Sequence, residues 1–368
     1  MPSNEAAWLM GAKQHPFQVA SAPYTSPAKN QIVIKNGAVA TNPLDFIKQD
    51  TGNLMFSWMK YPFTMGSDTA GEVVEVGPGV TRFKVGDRVV GHAVGMDDHY
   101  NTSAQGAFQT YTVLLAQMTS PIPDAMSYEA ACVMPLGLST AACSLFQKDQ
   151  LAMQLPSVSP SPTGKTLLVW GGSTSVGCNA IQLAISAGYE VIATSSPRNF
   201  AYLKKLGASQ VFDYNSPTVV KDVTNAFKGR PTAGAISIGP GGADACVDVL
   251  GTCTGNRFLS MATYPLPSPF PTRFVVPQIA FAFVTWSVKN WIRTSIRHVS
   301  YKFIFGTTLI DNGIGKAIYE DFLPEALAKG TFVPSPEPQV VGKGLENIQA
   351  ALDLHKKGVS AKKVVVTL

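Results

Sequence analysis

Thr166 to Gly177 reads TLLVWGGSTSVG, and Glu190 to Asn199 reads EVIATSSPRN. The first stretch is a short apolar run that stops at glycine, and from Gly177 to Ala187 apolar residues recur at helical spacing before a second apolar run, Glu190 to Thr194. Strand, glycine turn, helix and strand therefore follow in order. The pattern continues with a helix over Asn199 to Leu206, a strand over Gln210 to Asp213, a helix over Thr218 to Phe227, a strand over Ala233 to Ile238, a helix over Ala243 to Leu250 and a strand over Arg257 to Ala262. Such alternation predicts an α/β fold: a doubly wound parallel sheet with helices on both faces.

Gly172, Ser173, Thr174, Ser175, Val176 and Gly177 fill the six positions of a GxGxxG dinucleotide fingerprint, with Thr174 where the middle glycine belongs. The loop leaves a strand and opens a helix, so free backbone amides and the helix dipole favour an anion, and Ser173, Thr174 and Ser175 add hydroxyl donors. The alternative is a plain strand-to-helix turn. At the end of the second strand an NAD site usually carries Asp or Glu; here stand Thr194, Ser195, Ser196, Pro197, Arg198 and Asn199. No acid is present there. Arg198 offers a planar cation for a phosphate, with Ser195 and Ser196 as further donors, which favours NADPH over NADH; a solvated surface arginine is the plainer account.

Outward from this core, residues 31 to 115 read as short strands separated by Gly, Pro and Asp, which predicts a compact β domain. A helical stretch from residue 127, SYEAACVMPLGLSTAACSLFQ, leads into the Pro- and Ser-rich connection LPSVSPSPTG. The final segment, from about residue 318 to the strand KKVVVTL, is expected to return to the first domain. With 368 residues, 45% of them hydrophobic and a formal charge of +5, the chain has room for two cores and no basic block of the kind that follows nucleic acid. Five widely spaced cysteines, Cys132, Cys143, Cys178, Cys246 and Cys253, argue against a disulfide framework and for a reducing, cytoplasmic setting. The amino terminus lacks a signal-peptide pattern, and the longest apolar run, Phe274 to Trp286, is broken by Pro277 and Gln278 and too short to span a bilayer.

Residues 264 to 305 mix Tyr264, Phe270, Phe274, Phe281, Phe283, Trp286 and Trp291 with Pro265, Pro267, Pro269, Pro271 and Pro277, a composition that fits an aromatic lid over a pocket. Lys289, Arg293 and Arg297 fall at i, i+4 and i+8 beside Val288, Trp291 and Ile292. That stripe suits either a helix on a membrane surface or a core or interface helix with a solvated basic face.

The chain resembles the medium-chain dehydrogenase/reductase family. The resemblance rests on NPLD (Asn42 to Asp45), GSDTAGEVVEVGPGV (Gly66 to Val80), FKVGDRV (Phe83 to Val89), GAFQTY (Gly106 to Tyr111), GGSTSVG (Gly171 to Gly177) and GVSAKKVVV (Gly358 to Val366), in family order from end to end. It implies a GroES-like β domain over 1–135 and 318–368, and a Rossmann domain that binds NADPH over 136–317. GGSTSVG, SSPRNF and FIFGTTL resemble the fungal branch of CipB-like, zinc-type alcohol dehydrogenase-like proteins and trans-acting enoyl reductases, which implies a small apolar, enone or polyketide-like substrate and a monomer or homodimer.

Zinc-using alcohol dehydrogenases carry Gly-His-Glu where this chain has Gly66, Ser67 and Asp68, and a serine hydroxyl is no substitute for an imidazole. The stretch HAVGMDDHYNTSAQ, where their structural zinc lobe would stand, has no cysteine; His92, His99, Asp97 and Asp98 fit a solvated polar loop better than a metal cluster. No metal is expected. Without zinc to hold an alkoxide, the expected reaction is hydride transfer to the β carbon of an α,β-unsaturated carbonyl, with quinone reduction, or an idle NADPH-binding or membrane-surface protein, as alternatives. The resemblance places Asn42 and Asp45 at the nicotinamide end, Thr140 at the nicotinamide or substrate, and Val359 with Ser360 over the cofactor. Ser173 to Val176, Ser196 to Asn199 and Tyr214 would then hold its phosphate, adenine and ribose portions. Related enoyl reductases often place a catalytic lysine two residues after the Asp of this motif; here that site is Ile47, and Lys48 is a displaced catalytic cation or a surface lysine. Tyr61 is a proton donor or a packing residue.

Overall fold

A computed structural model describes residues 2–264 and 274–368, so Phe270 and the prolines at 265, 267, 269 and 271 lie outside the described residues. The chain forms two compact units, Met1–Ser139 with Thr307–Leu368, and Thr140–Gly306. The changeovers fall after Ser139 and Gly306 rather than after 135 and 317. Residues 307 to 317 belong to the first unit because Leu309 is fully buried there, Thr307 donates to Asp97, and the Gln117 amide donates to the carbonyl of Ile310 at 3.4 Å.

The first unit opens with β1 (Asn4–Leu9), β2 (Gln18–Ala22), β3 (Gln31–Ala40), β4 (Phe63–Thr64), β5 (Asp68–Val76), β6 (Arg88–His92), β7 (Tyr111–Leu115) and β8 (Thr119–Pro121). The second unit carries β9 (Thr166–Trp170), β10 (Glu190–Ser195), β11 (Gln210–Asp213), β12 (Thr232–Ser237), β13 (Phe258–Met261) and β14 (Ser300–Phe303), after which β15 (Glu337–Lys343) and β16 (Lys362–Thr367) complete the first. In the first unit a seven-stranded sheet runs β15-β16-β3-β5-β6-β8 with β7 also on β3, beside a small sheet β2-β1-β4. This is the GroES-like domain, closed over Ile32, Ile34, Met65, Val73, Phe108, Leu114, Val364 and Val366.

The second unit is the Rossmann domain. Its six strands are all parallel in the order β11-β10-β9-β12-β13-β14. Every residue of β9 is buried, which is why TLLVW reads as an uninterrupted apolar run rather than an alternating one. The sixth strand, β14, was not foreseen in the sequence. All five cysteines are free and buried. The apolar stretch Tyr128–Phe146 has the length and hydropathy of a membrane span, but 78% of it is buried within the protein, as in a core helix.

The helix Val275–Arg297 corrects two expectations. Its basic stripe is ion-paired while remaining partly solvated: Lys289 meets Asp244 at 2.8 Å, Arg293 bridges Asp244 at 3.0 Å and Asp248 at 2.7 Å, and Arg297 reaches Asp248 at 3.2 Å. Both acids sit on the helix Gly242–Leu250. With the cations turned inward, Phe281, Val284, Val288, Trp291 and Ile296 face solvent. The aromatic lid divides likewise. Tyr264, Phe283 and Trp286 pack with Tyr301 and Phe303 at the edge of the sheet, whereas Phe274, Phe281 and Trp291 cover nothing in the described structure.

Candidate functional site

In the Rossmann unit the glycine loop is set by close packing. Gly171 has φ +88°, and a Cβ there would lie 2.5 Å from the carbonyl oxygen of Ile238; at Gly177 it would lie 2.3 Å from the carbonyl oxygen of Gly171. Thr174, at the position of the missing glycine, caps the helix Ser175–Ser186: its hydroxyl accepts from the Gly177 amide at 3.0 Å and donates to the Gly171 carbonyl at 2.8 Å. That hydroxyl is therefore spent on shaping the loop and is not a donor for a ligand. Gly172 N–H donates to the Thr194 carbonyl at 2.8 Å and Gly171 N–H to the Thr194 hydroxyl at 3.1 Å, tying the loop to the end of β10. Ser173 and Val176 stand half-buried on either side of the cap. Ser175 Oγ is buried and makes no hydrogen bond within the protein, at the amino terminus of a twelve-residue helix. An orphaned hydroxyl beside free helix amides fits a phosphate group.

Beyond β10, Ser195 is buried and its hydroxyl donates to the Ser196 carbonyl at 3.1 Å, so it supports the turn rather than offering a donor outward. Ser196 Oγ lies 3.2 Å from the hydroxyl of Tyr214, which follows β11, and Asn199 is buried. Arg198 is exposed and has no acidic partner among the described residues. The nearest acid in register is Asp213, opposite Ser195 on β11, and its carboxylate is engaged by the amide of Asn215 at 3.0 Å. Ser196, Arg198 and Tyr214 thus form one rim at the carboxyl ends of β10 and β11, where open α/β sheets take their ligands.

In the GroES-like unit a second cluster gathers around Asp68. Its carboxylate, fully buried, receives Lys363 Nζ at 2.7 Å, Asn42 Nδ2 at 2.8 Å and the Leu136 amide at 2.6 Å, while Lys363 also donates to Asn42 Oδ1. Asp45 accepts the Asn42 backbone N–H at 2.8 Å; its other oxygen is unpartnered, and burial pushes the carboxyl up to about 7. His92 Nδ1 lies 2.9 Å from Ser139 Oγ, which lies 2.8 Å from the Tyr319 hydroxyl, itself donating to the Pro135 carbonyl at 3.0 Å. Burial pushes His92 down to about 4 and so keeps it neutral.

Of the residues expected here, Asn42 and Asp45 fall within this cluster, buried and internally bonded. Thr140 is half-buried on the helix Pro135–Phe146, and Val359 and Ser360 are half-buried in the turn before β16. Lys48 is neither a surface residue nor an available cation. It is fully buried, and its three N–H donors go to the carbonyls of Gly52 (3.0 Å), Met55 (2.7 Å) and Phe56 (3.1 Å), which fixes the loop after the Pro43–Thr51 helix. Tyr61 packs its ring 5.3 Å below that ammonium, and its hydroxyl is buried without a partner. Lys363, Ser139 and Tyr319 escaped the sequence reading; a lysine inside the apolar run KKVVV was the signal for the first.

Zinc does not fit the Asp68 cluster as it stands. Ser67 is a weak ligand, Asp68 already faces an ammonium group, and burial raises the Cys132 thiol well above its ordinary range, which disfavours thiolate. Among the described residues, three groups of ligand type meet at Asp97, Asp98 and His99, an ion-paired surface turn with His99 Nδ1 at 3.2 and 3.0 Å from the two acids.

Residues 28–124 match the Alcohol dehydrogenase GroES-like domain family and residues 175–264 the Zinc-binding dehydrogenase family. The dehydrogenase pigH of Monascus ruber is 54% identical over 370 residues, covering 100% of both chains. The chain belongs to the medium-chain dehydrogenase/reductase family. The trans-enoyl reductase himH of Aspergillus japonicus is 35% identical, covering 99% of this chain and 97% of its own. A crystal structure of an alcohol dehydrogenase superfamily protein from Novosphingobium aromaticivorans has the same medium-chain dehydrogenase/reductase fold, with a TM-score of 0.73 at 24% identity over 99% of each chain. The protein is accordingly an oxidoreductase with a nicotinamide-binding domain.

Proposed function

We propose that this medium-chain dehydrogenase/reductase is an NADPH-dependent, zinc-independent ene reductase that acts on an α,β-unsaturated carbonyl. The observation that carries the reading is the Lys363–Asp68–Asn42 contact set, which occupies the element where zinc-using relatives by resemblance carry their ligands. A ketone reductase must hold an alkoxide, and this cluster leaves no Lewis acid to do so. In an enone the charge develops on a remote oxygen that ordinary hydrogen-bond donors suffice to hold.

Bound NADPH would supply the hydride. The Gly171–Gly177 loop and Ser175 would hold its pyrophosphate, and Arg198, Ser196 and Tyr214 its 2′-phosphate and adenosine end. The β carbon gains the hydride and the α carbon gains a proton, for which Tyr61, a phenol without an internal partner, is the candidate donor. The enoyl reductase among the relatives supports the substrate class.

The test is NADPH oxidation by the purified protein against enones, enoyl thioesters, quinones and simple ketones. Turnover of enones or enoyl thioesters without added metal is expected; turnover restricted to ketones, or to quinones, overturns the reading. Arg198→Ala should weaken NADPH about tenfold while leaving NADH nearly unchanged, as for one charged hydrogen bond.

A further inference from the structure

The outward face of the helix Val275–Arg297 is mostly apolar, with Gln278, Thr285 and Ser295 as its exposed polar residues. Phe281 is 72% exposed, Trp291 67% and Ile296 71%, with Val284 and Val288 above half. Phe281, Val284, Val288 and Trp291 recur every three or four residues and Ile296 follows Trp291 by five, so they share one side of the helix over about 22 Å at 1.5 Å per residue. The helix has no acidic residue. Thr285 donates its hydroxyl to the Phe281 carbonyl at 2.8 Å, and beside the stripe Lys289, Arg293 and Arg297 pair with Asp244 and Asp248.

We propose that this face is a reversible membrane-contact surface, with the helix lying in the headgroup region of a lipid bilayer. A protein partner is recognised by a mixture of apolar anchors and matched polar groups, and this stripe offers only three uncharged polar side chains, Gln278, Thr285 and Ser295, among its large apolar ones. A second copy packed helix on helix would touch over only a few turns, short of the ~1,200 Å² that a stable interface buries. A bilayer needs an apolar stripe with a tryptophan on it and cations at its margin, and Lys289, at 59% exposure, stands at that margin. The formal charge of +5 adds attraction to anionic headgroups. The proposal is independent of the substrate reading.

Flotation with phosphatidylcholine–phosphatidylserine vesicles tests it. The wild-type chain is expected to float with the lipid and to show a tryptophan emission blue shift that is lost in Trp291→Phe. The double variant Phe281→Ser/Trp291→Ser is expected to partition at least about tenfold less, from two large side chains no longer buried. Both sites are exposed, and a melting curve confirms folding; if the double variant unfolds, Ile296→Gln alone should still reduce flotation. Wild-type protein that stays in the aqueous fraction overturns the proposal, as does equal flotation of the variants. So does a lipid-free dimer, seen by sedimentation equilibrium, that the substitutions dissociate: the occupant would then be a second copy.

Discussion

Lys363 and Ser175 show how differently two buried polar side chains behave. Lys363 neutralises Asp68, so Lys363→Met should destabilise the GroES-like unit by about 3 to 5 kcal/mol, the usual cost of leaving a buried charge without its partner. Pairing it with Asp68→Leu should recover most of that loss; urea unfolding of the single and double variants measures both. Ser175 has no partner to lose. Ser175→Ala should leave the melting temperature of the free protein unchanged or slightly higher while weakening dinucleotide binding several-fold, read by calorimetric titration with NADPH. Lys48 shows what spacing cannot convey. Its position beside the catalytic slot of related reductases is visible in the chain, but the three carbonyls that claim it come from a loop whose path depends on tertiary packing.

At the scale of elements, Thr166–Trp170, buried on both faces, stands where its apolar run placed it, the half-buried edge strand Gln210–Asp213 also has the expected bounds, and the helices between them differ by one or two residues at their ends. Ser300–Phe303 was not legible, because its four residues alternate between exposed and half-buried and carry no apolar run. For the helix Val275–Arg297 the amphipathic period was readable but not its orientation. Asp244 and Asp248, about 45 residues upstream, decide that the basic side faces in. Asp248→Asn removes the shared partner of Arg293 and Arg297. It should cost under about 1 kcal/mol globally, since these are partly exposed pairs, yet speed amide exchange in the last two turns of the helix. Hydrogen exchange followed by mass spectrometry resolves that segment.

At the scale of the whole molecule, three titratable groups of the GroES-like unit, the buried His92 and Asp45 and the half-buried His355, set an acid limit. His92 and His355 are each pushed from 6.5 to about 4, chiefly by burial, so the stability they allow is present above pH 6.5 and is lost as pH falls toward 4. Asp45, raised from 3.8 to about 7, acts in the opposite sense: its contribution is full below 3.8 and fades as pH rises through 7. Between pH 4 and 6.5 unfolding therefore takes up about two protons at the histidines and releases about one at Asp45, and stability should fall by roughly 1.4 kcal/mol per unit of acidification. Asp45→Asn should steepen that slope to nearly twice the value and raise stability at pH 8. Denaturation of the first unit followed across this range checks both.

The five sequestered thiols carry a further consequence. Conjugated alkenes are electrophiles that alkylate thiolates, and a chain that binds them risks modifying itself. Here Cys178 is pushed up to about 12, Cys132 and Cys246 are raised by burial, and no sulfur is more than 4% exposed. The folded protein should resist iodoacetamide at neutral pH and take up five equivalents once denatured. Incubation with excess enone should leave its mass unchanged, so the fold would confer immunity to the reactivity of its own proposed substrate.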